Sequence, residues 1–248
     1  MHAFALLVVL GTALGAFGLD EWDRCSEGPC DCLRNFLRVR CRFLPIEDIV
    51  AGQYFPSDTD RLDLRDNGMQ RLPDNFFRDR PMPALKDLRL RDNPLTELTS
   101  RDFVDLGHLR WLSLDNTQLT QLPEDLFFEL KSIRILYIIR NYLLESLPDS
   151  LFYGLSELRQ ISIDLNTKLT EIPRRLLLEV EDTIQFLVIR SSDLITENGL
   201  PNNIVYSADT ANHIQLEDIG FSVLRRDVFG NLSHPLSSVS VRFNRGLQ

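Results

Sequence analysis

The stretch from Leu85 to His108 reads LKDLRLRDNPLTELTSRDFVDLGH, and the block that follows it, LRWLSLDNTQLTQLPEDLFFELKS, repeats the same layout. Leu88 and Leu112 lie 24 positions apart, and the same interval separates Leu90 from Leu114. Leucines that alternate with polar residues at these positions predict a short strand with one buried face. A fixed period of this length predicts stacked repeats, each of which buries its apolar face only against its neighbours.

The same L-x-L pair recurs along most of the chain, with Ile or Val in place of Leu at some positions. The first residues of the pairs are Leu62, Leu88, Leu112, Leu136, Ile161, Leu187, Ile214 and Val239. The pattern L-x-x-L-x-L-x-x-N-x-L resembles the leucine-rich repeat family. The resemblance implies an α/β, β-rich solenoid, namely a curved horseshoe with a concave parallel sheet and a convex side of irregular, 3₁₀ or short helical segments. Residues 59–248 are predicted to form about seven full repeats and one truncated repeat.

Five residues after each of these positions, a polar side chain is suited to hold the turn that ends the strand. This row is Asn67, Asn93, Thr117, Asn141, Asn166, Ser192, Ile219 and Asn244. An Asn can donate to the carbonyl of one repeat and accept from the amide of the next, which satisfies a buried turn. Thr117 and Ser192 are expected to make part of this network, whereas Ile219 cannot.

A second row is predicted on the convex side and is mostly aromatic. It comprises Phe77, Phe103, Phe127, Phe152 and Phe229, with Leu177 in the equivalent place of the fifth repeat. Short turns are expected after Pro73, Pro123, Pro148 and Pro173. The sixth repeat lacks both signals, and its Asn-, Gly- and Pro-rich segment between Thr196 and His213 predicts a bulge or a lengthened convex turn.

The N-terminal part of the chain differs from the repeats. Residues 1–18 contain no Asp, Glu, Lys or Arg and are predicted to be a cleaved signal peptide. The four cysteines all lie within residues 19–58, and an even cluster in a secreted chain predicts two disulfides, with three pairings open. A zinc site is the alternative, but no His lies nearby. The spacing resembles the cysteine-rich N-terminal cap of extracellular leucine-rich repeat proteins, which implies the pairs Cys25–Cys32 and Cys30–Cys41.

Charge and motif content argue against several functions. The net charge of −9 is spread along the chain, whereas nucleic-acid binding needs clustered Lys and Arg. No segment after residue 18 is apolar for long enough to span a bilayer. The motifs G-x-S-x-G and H-E-x-x-H and a phosphate-binding glycine loop do not occur, so no catalytic residue, metal or cofactor is predicted. Asn231, in the sequence Asn-Leu-Ser, is the predicted glycosylation site.

Residues that flank the buried leucines point away from the core on the predicted concave face. The candidate ligand-binding residues on this face are Arg61, Asp63, Arg65, Asp87, Arg89, Arg91, Trp111, Ile135, Tyr137, Ile139, Phe186 and Val188. The first two repeats supply the charged members, and the middle repeats supply the apolar ones. Apolar side chains on an outward sheet face indicate contact with a partner, and Trp, Tyr and Arg dominate protein interfaces.

The sequence therefore predicts an extracellular protein-binding module, either secreted or at the cell surface, that docks a protein ligand on its concave sheet. A structural protein of the extracellular matrix, or one that self-associates, is the second hypothesis, and an enzyme or enzyme fragment is the third. The eighth repeat stops at Gln248 without its convex half. We expect either a piece of a longer ectodomain or an end that something else covers.

Overall fold

A computed structural model of the chain describes residues 20–173, 175–177, 179–180, 183–190, 213–217 and 238–242. Predictions made for residues 1–18, the 196–212 segment, Ser192, Ile219, Phe229, Asn231 and Asn244 lie outside the described residues. The strands are β1 Asp31–Leu33, β2 Arg38–Arg40, β3 Arg61–Asp63, β4 Asp87–Arg89, β5 Trp111–Ser113, β6 Ile135–Tyr137, β7 Gln160–Asp164, β8 Phe186–Arg190, β9 His213–Glu217 and β10 Ser238–Arg242. The helices are α1 Glu21–Ser26 and α2 Ile46–Gly52, with 3₁₀ helices at Arg34–Phe36 and Ser100–Phe103.

All the described strands belong to one sheet, in chain order. β1 pairs with β2 in the antiparallel sense, and every later pairing is parallel. The residues aligned across the parallel strands are Val39, Leu62, Leu88, Leu112, Leu136, Ile161, Leu187, Ile214 and Val239. This register is the one that the L-x-L pairs predict, so the predicted repeat solenoid with a parallel sheet is confirmed.

The core is a continuous stack of apolar rows rather than a single centre. Leu62, Leu88, Leu112 and Leu136 are fully buried behind the sheet. On the far side Phe77, Phe103, Phe127 and Phe152 are buried, and the Phe103 and Phe127 ring centroids are 6.4 Å apart. Because each full burial of such a side chain contributes about 1.5–3 kcal/mol, every repeat is stabilised chiefly by the repeat stacked on it.

Turns on the convex side begin where the prolines predict them. The amides of Phe76, Leu126, Leu151 and Leu176 donate to the carbonyls of Pro73, Pro123, Pro148 and Pro173, at 3.1, 3.1, 3.3 and 3.2 Å. The second repeat has Thr99 in the proline position, and here a 3₁₀ helix forms. The Thr99 backbone N–H donates to Asp102 Oδ2 at 2.7 Å, which closes the start of this helix. Burial raises the pKa of Asp102 above its ordinary value, because the bonds from Thr99 offset only part of the desolvation.

The asparagine row forms a ladder, but its direction differs from the prediction. Asn93 Nδ2 donates at 2.8 Å to the carbonyl of Leu64 in the preceding repeat and at 2.8 Å to that of Leu90 in its own. Its Oδ1 accepts the Asn67 N–H, also in the preceding repeat, at 2.9 Å. The expectation that the amide would come from the next repeat is therefore wrong. Outside its own repeat, the Asn93 side chain bonds to the preceding repeat.

The residue that precedes each described member of this ladder adopts a left-handed backbone conformation, and so does Phe43 at the equivalent place in the N-terminal segment. The row is Phe43, Asp66, Asp92, Asn116, Arg140 and Leu165, with φ between 53° and 60°. Asp and Asn tolerate this conformation, whereas larger side chains are strained in it. The turn that follows the strand therefore has the same geometry in each of these repeats, including those whose side chains do not favour it.

The described residues 20–58, which we call the cap, continue the repeat sheet. Its β2 pairs with β3, and the Cys41 N–H donates to the Asp63 carbonyl at 2.8 Å. The disulfides join Cys25 to Cys32 and Cys30 to Cys41, the pairing that the family resemblance implies. All four sulfurs are thus engaged, which leaves no thiolate for the zinc alternative.

Gln53 holds the two cysteine loops of the cap together from inside. Its Oε1 accepts the Cys30 N–H at 3.0 Å, and its Nε2 donates to the Cys25 carbonyl at 3.2 Å. A Cβ atom at Gly28 would lie 2.5 Å from Gln53 Oε1 and 2.9 Å from the Gly52 carbonyl oxygen. Only glycine therefore allows this close approach of the backbone to Gln53.

Candidate functional site

The concave face is the side of the sheet turned away from the buried leucines, and the predicted site residues lie on it. Pairing aligns Arg61, Asp87, Trp111 and Ile135 in one row across β3 to β6. A second row aligns Asp63, Arg89, Ser113 and Tyr137. Arg65, Arg91 and Ile139 lie two residues after the last residue of β3, β4 and β6, and Phe186 and Val188 lie on β8. β7 separates this last pair from the others.

Asp63 is not an exposed contact residue, because arginines cover it. Its carboxylate is 1% exposed and accepts bonds from Arg65 Nε at 2.7 Å, Arg65 Nη2 at 2.8 Å and Arg38 Nη2 at 3.0 Å. Burial on its own raises the pKa of Asp63, but the Arg65 and Arg38 bonds and charges outweigh it and hold the pKa below its ordinary value. The sequence-based placement of Asp63 among the outward binding residues is therefore wrong for its carboxylate.

The remaining charged residues differ in solvent exposure and in the distance to their nearest carboxylate. The hydrogen bond from Arg65 to Asp63 raises the pKa of Arg65, and this side chain is largely buried. Arg61, by contrast, is half exposed, and its nearest carboxylate oxygens, on Asp60 and Asp87, are 3.7 and 3.9 Å away. Arg61 is therefore the predicted cation on this face that is best placed to meet a partner.

A line of contacting side chains crosses the concave face from β4 to β7. Asp87 accepts two bonds from Arg89, at 3.1 and 3.0 Å. The Arg89 guanidinium carbon lies 5.0 Å from the centroid of the Trp111 ring. The Trp111 and Tyr137 centroids are 5.4 Å apart with an interplanar angle of 82°, an edge-to-face contact. Gln160 Nε2 donates to the Tyr137 hydroxyl at 3.1 Å. We call this line the concave ladder.

The concave ladder joins the charged and apolar zones that the sequence presents as separate. Arg89, Trp111 and Tyr137 are half-buried, so they support one another while each leaves part of its surface in solvent. Ile135 and Ile139 are half-buried beside them. Such mutual support fixes the side-chain rotamers before any partner arrives, which lowers the entropic cost of binding.

Phe186 and Val188 stand apart from the concave ladder. Phe186 is 37% exposed and Val188 is half-buried. The strand between them and Tyr137 presents Gln160 and Ser162, both polar, on the same face. The structure therefore does not bring these two apolar residues into contact with the aromatic pair.

Two contributors to this face were absent from the prediction. Arg38 belongs to the cap. The alternation of Arg38 and Arg40 with the buried Val39 is the sequence signal that places Arg38 on the outward face. Gln160 carries no sequence signal of its own, because its bond to Tyr137 depends on side-chain geometry. Because β2 pairs with β3 and Arg38 aligns with Arg61, the row of Arg61, Asp87, Trp111 and Ile135 begins one strand earlier than the repeat pattern suggests.

Asp115 lies at the floor of the concave face, next to Ile139. Its Oδ2 accepts the Ser113 hydroxyl at 2.5 Å, and its Oδ1 accepts the Ile139 N–H at 3.0 Å. Burial raises the pKa of Asp115, and these two bonds only partly oppose it. The carboxylate therefore links two neighbouring repeats at a desolvation cost.

Two general features concern the described part of the chain only. No group of three or more His, Cys, Asp or Glu there is placed to hold a metal ion. No helix there has the length and apolar character needed to cross a membrane.

Comparison with known proteins agrees with this architecture. A family model described as leucine rich repeat matches residues 59–119 and 108–167. Among solved structures, the chain is similar to the crystal structure of human 5T4 (Wnt-activated inhibitory factor 1, trophoblast glycoprotein), with a TM-score of 0.64 and 20% sequence identity. The match covers 88% of this chain and 80% of the 5T4 chain, and at this identity it bears on the fold alone. From the matched repeats, the parallel sheet in register and the disulfide-bonded cap, we conclude that residues 59–167 are leucine-rich repeats and that the chain has the fold of a leucine-rich repeat solenoid with a disulfide-bonded N-terminal cap.

Proposed function

We propose that this protein is an extracellular protein-binding module that docks a protein partner on its concave face. The observation that carries the proposal is the concave ladder, in which Arg89, Trp111 and Tyr137 form one half-buried, mutually supported line. Arg, Trp and Tyr are the residue types that most often dominate the free energy of protein interfaces. Leucine-rich repeats typically serve as interaction modules, which favours the same conclusion.

The extracellular part of the proposal rests on the cap. Two disulfides within a short segment are stable in oxidising compartments and rare in the cytosol. The apolar, uncharged composition of residues 1–18 agrees with a secretory signal, and Asn231 is the proposed glycan acceptor. A secreted protein and the ectodomain of a cell-surface receptor are equally compatible with these features.

The charged residues next to the concave ladder bias the choice of partner. Arg61 and Arg91 are about half exposed, and their carboxylate neighbours are 3.4 Å or more away. Such cations at the rim of an interface raise the association rate with an acidic surface and contribute less to the final affinity. Asp63 and Arg65 would instead act as a rigid floor for this rim, because they are bonded to each other.

Self-association is the second candidate function, and a different surface favours it. Phe36 and Phe43, both in the cap, are 71% and 74% exposed. Phe36 precedes β2 and Phe43 follows it, and burying these two rings against a second copy of the chain would remove apolar surface from water. Sedimentation equilibrium of the purified protein separates this candidate from the first, because a Phe36→Ser/Phe43→Ser variant would then be less associated than the wild type.

An enzyme is the third hypothesis and has weaker support. Asp102 and Asp115 are described carboxyls whose pKa burial raises, a feature that active sites share. Asp102, however, accepts the Thr99 N–H of a turn, and Asp115 accepts bonds from Ser113 and Ile139. Both carboxyls thus have structural partners that account for their positions.

The test of concave-face docking compares two aromatic substitutions. The secreted protein would be screened against a panel of purified ectodomains, and each hit would be measured by surface plasmon resonance. We expect Trp111→Ala to weaken binding by about 2 kcal/mol or more, as a central aromatic anchor does. Phe128→Ala is the matched control, since Phe128 is an exposed aromatic outside the concave face, 47% accessible, and its loss should leave Kd unchanged. Equal losses in both variants, or no loss at Trp111, would overturn the proposal.

A further inference from the structure

A column of cations follows one edge of the sheet, beside the concave face and distinct from the concave ladder. The residue immediately before each of β4 to β7 is basic, and the column is Lys86, Arg110, Arg134 and Arg159. We call it the basic edge. The overall net charge is −9, so a run of four cations in consecutive repeats departs from the average of the chain.

Backbone hydrogen bonds fix the basic edge in register. The Arg110 N–H donates to the Lys86 carbonyl, the Arg134 N–H to the Arg110 carbonyl, and the Arg159 N–H to the Arg134 carbonyl, each at 2.9 Å. Adjacent strands lie roughly 4.8 Å apart, so the four positions span roughly 14 Å. The cations are therefore arranged as an evenly spaced row that runs across the strands.

Half of the basic edge is neutralised and half is not. Lys86 pairs with Asp60 at 2.6 Å, and Arg134 pairs with Glu157 at 3.2 Å. Arg110 and Arg159 are exposed and form no ion pair with any residue that the structure describes. Two uncompensated charges thus alternate with two compensated ones, and Glu157 is the anion that limits the positive potential at its centre.

The basic edge borders a groove of about 290 Å³. Its lining consists of Pro83, Ala84, Lys86, His108, Arg110, Ser132, Arg134 and Glu157. Cations from three successive repeats reach this groove together with a hydroxyl, whereas Pro83 and Ala84 are its only apolar lining residues. A ligand that suits it carries negative charge and polar groups along its length and needs no apolar pocket.

We propose that the basic edge binds a sulfated polysaccharide laid along the solenoid axis. Sulfate groups keep their charge at physiological pH, and arginine guanidinium groups are suited to bind such oxyanions through two parallel N–H bonds. An acidic protein segment is the alternative ligand. Protein segments gain affinity by burying apolar side chains, and this groove offers only Pro83 and Ala84 as apolar contacts. The choice of a polysaccharide also rests on the extracellular setting proposed above, while the site itself does not involve the concave ladder.

The experiment uses a size-defined heparin oligosaccharide as the probe, with the intact secreted protein, and isothermal titration at low and physiological salt. We expect Arg110→Ser/Arg159→Ser to raise Kd about 25-fold, taking about fivefold for each basic side chain that faces an anionic surface. The matched control is Arg71→Ser/Arg101→Ser, which removes the same charge from exposed arginines in the connecting segments and should change Kd less than twofold. Glu157→Gln should lower Kd, since it releases Arg134 and removes the anion from the groove.

Three outcomes contradict the proposal. Equal losses in the test and control variants would show general charge attraction without a site. Tighter binding of a poly-glutamate peptide than of the oligosaccharide would assign the edge to acidic protein segments. Undetectable binding of the oligosaccharide at low salt would exclude the site. Tyr137→Ala disrupts the concave ladder and should leave oligosaccharide binding intact, so this result is independent of whether concave docking succeeds.

Discussion

Thr117 Oγ1 donates a hydrogen bond of 2.6 Å to Asn141 Oδ1, so the Thr117 side chain bonds to the following repeat. The asparagines reach back to the preceding strand, as Asn141 does by donating to the Leu114 carbonyl at 3.0 Å. Thr117 has no side-chain amide to donate to the preceding repeat, and its hydroxyl, the only donor of the side chain, bonds to the following repeat. The ladder is continuous in space but weakened at this position.

Replacing Thr117 by Asn should restore the backward bonds and stabilise the protein. The new amide can donate to the Leu90 carbonyl, the equivalent of the bond that Asn141 makes to Leu114. We expect a gain of about 1 kcal/mol in the free energy of unfolding, the usual worth of one buried hydrogen bond. Urea denaturation followed by circular dichroism measures it. Thr117→Val keeps the volume and loses the hydroxyl, and it should shift the midpoint the other way.

A second stabilising substitution is expected at Arg140, one of the residues that adopt a left-handed backbone conformation after the strands. Arg140 has a φ of 60° and is exposed, in a row where Asp66, Asp92 and Asn116 hold the same conformation with residues that tolerate it. Arg140→Asn should therefore stabilise the fold by about 1 kcal/mol, since a non-Gly side chain other than Asn or Asp costs roughly 1–2 kcal/mol there. The measurement is the urea midpoint. The reciprocal change, Asn116→Ala, is expected to lower it, and a rise would contradict the conformational explanation.

Asp63 should make stability depend on pH in the acidic range. Its pKa in the folded protein is held below the unfolded value of about 3.9 by Arg65 and Arg38, so its contribution is complete above about pH 5. That contribution is lost as the pH falls through the lowered pKa. Asp63→Asn should cost about 3 kcal/mol at neutral pH, because it leaves two guanidinium groups without their partner. The difference in unfolding free energy between wild type and variant should shrink below about pH 4.

Asp115 should make stability change with pH in the opposite direction to Asp63. Its pKa in the folded protein is raised by burial, so the ionised carboxylate opposes folding at neutral pH and protonation relieves this. As the pH falls from 7 through the raised pKa toward the ordinary value near about 3.9, the wild type should gain stability relative to Asp115→Asn. Asn can accept the Ile139 N–H and donate to the Ser113 hydroxyl, so both bonds survive the change. Parallel denaturation curves for the two proteins at all pH values would contradict this account.

The concave ladder predicts an energetic coupling between Trp111 and Tyr137. Both side chains are half-buried and make an edge-to-face contact, so Trp111→Ala should lower stability as well as binding. A double-mutant cycle with Tyr137→Ala should give a coupling of about 0.5–1.5 kcal/mol in the free energy of unfolding. A coupling near zero would mean that the two rings are independent surface residues.

The sequence predicted the repeat register well because the period is set by burial. Leu88 and Leu112 must face the same core, and a shift of one residue would turn both toward solvent. The same argument placed Trp111 and Tyr137 on the outward face. It could not say that Asp63 would be covered, because that depends on the rotamers of Arg65 and of Arg38 in another strand.

Two further features escaped prediction for physical reasons. The left-handed row is marked by Asp or Asn in some repeats, but Phe43, Arg140 and Leu165 carry no compositional sign of it. The direction of the asparagine ladder was wrong because either neighbour offers carbonyl and amide groups, and only the path of the turn decides between them. The basic edge is not visible in any one repeat, because its four cations come together only when the strands pair in register.

The antiparallel strand β1 covers the N-terminal end of the otherwise parallel sheet. A row of parallel strands leaves open N–H and C=O groups at its first member, which can template pairing with another chain. Here β1 covers that member, is only three residues long, and carries Asp31 bonded to Arg40 at 2.9 Å. The disulfides hold this short charged strand in place, since Cys32 lies within it and Cys41 directly follows β2. The cap therefore protects the N-terminal end of the sheet against edge-to-edge aggregation.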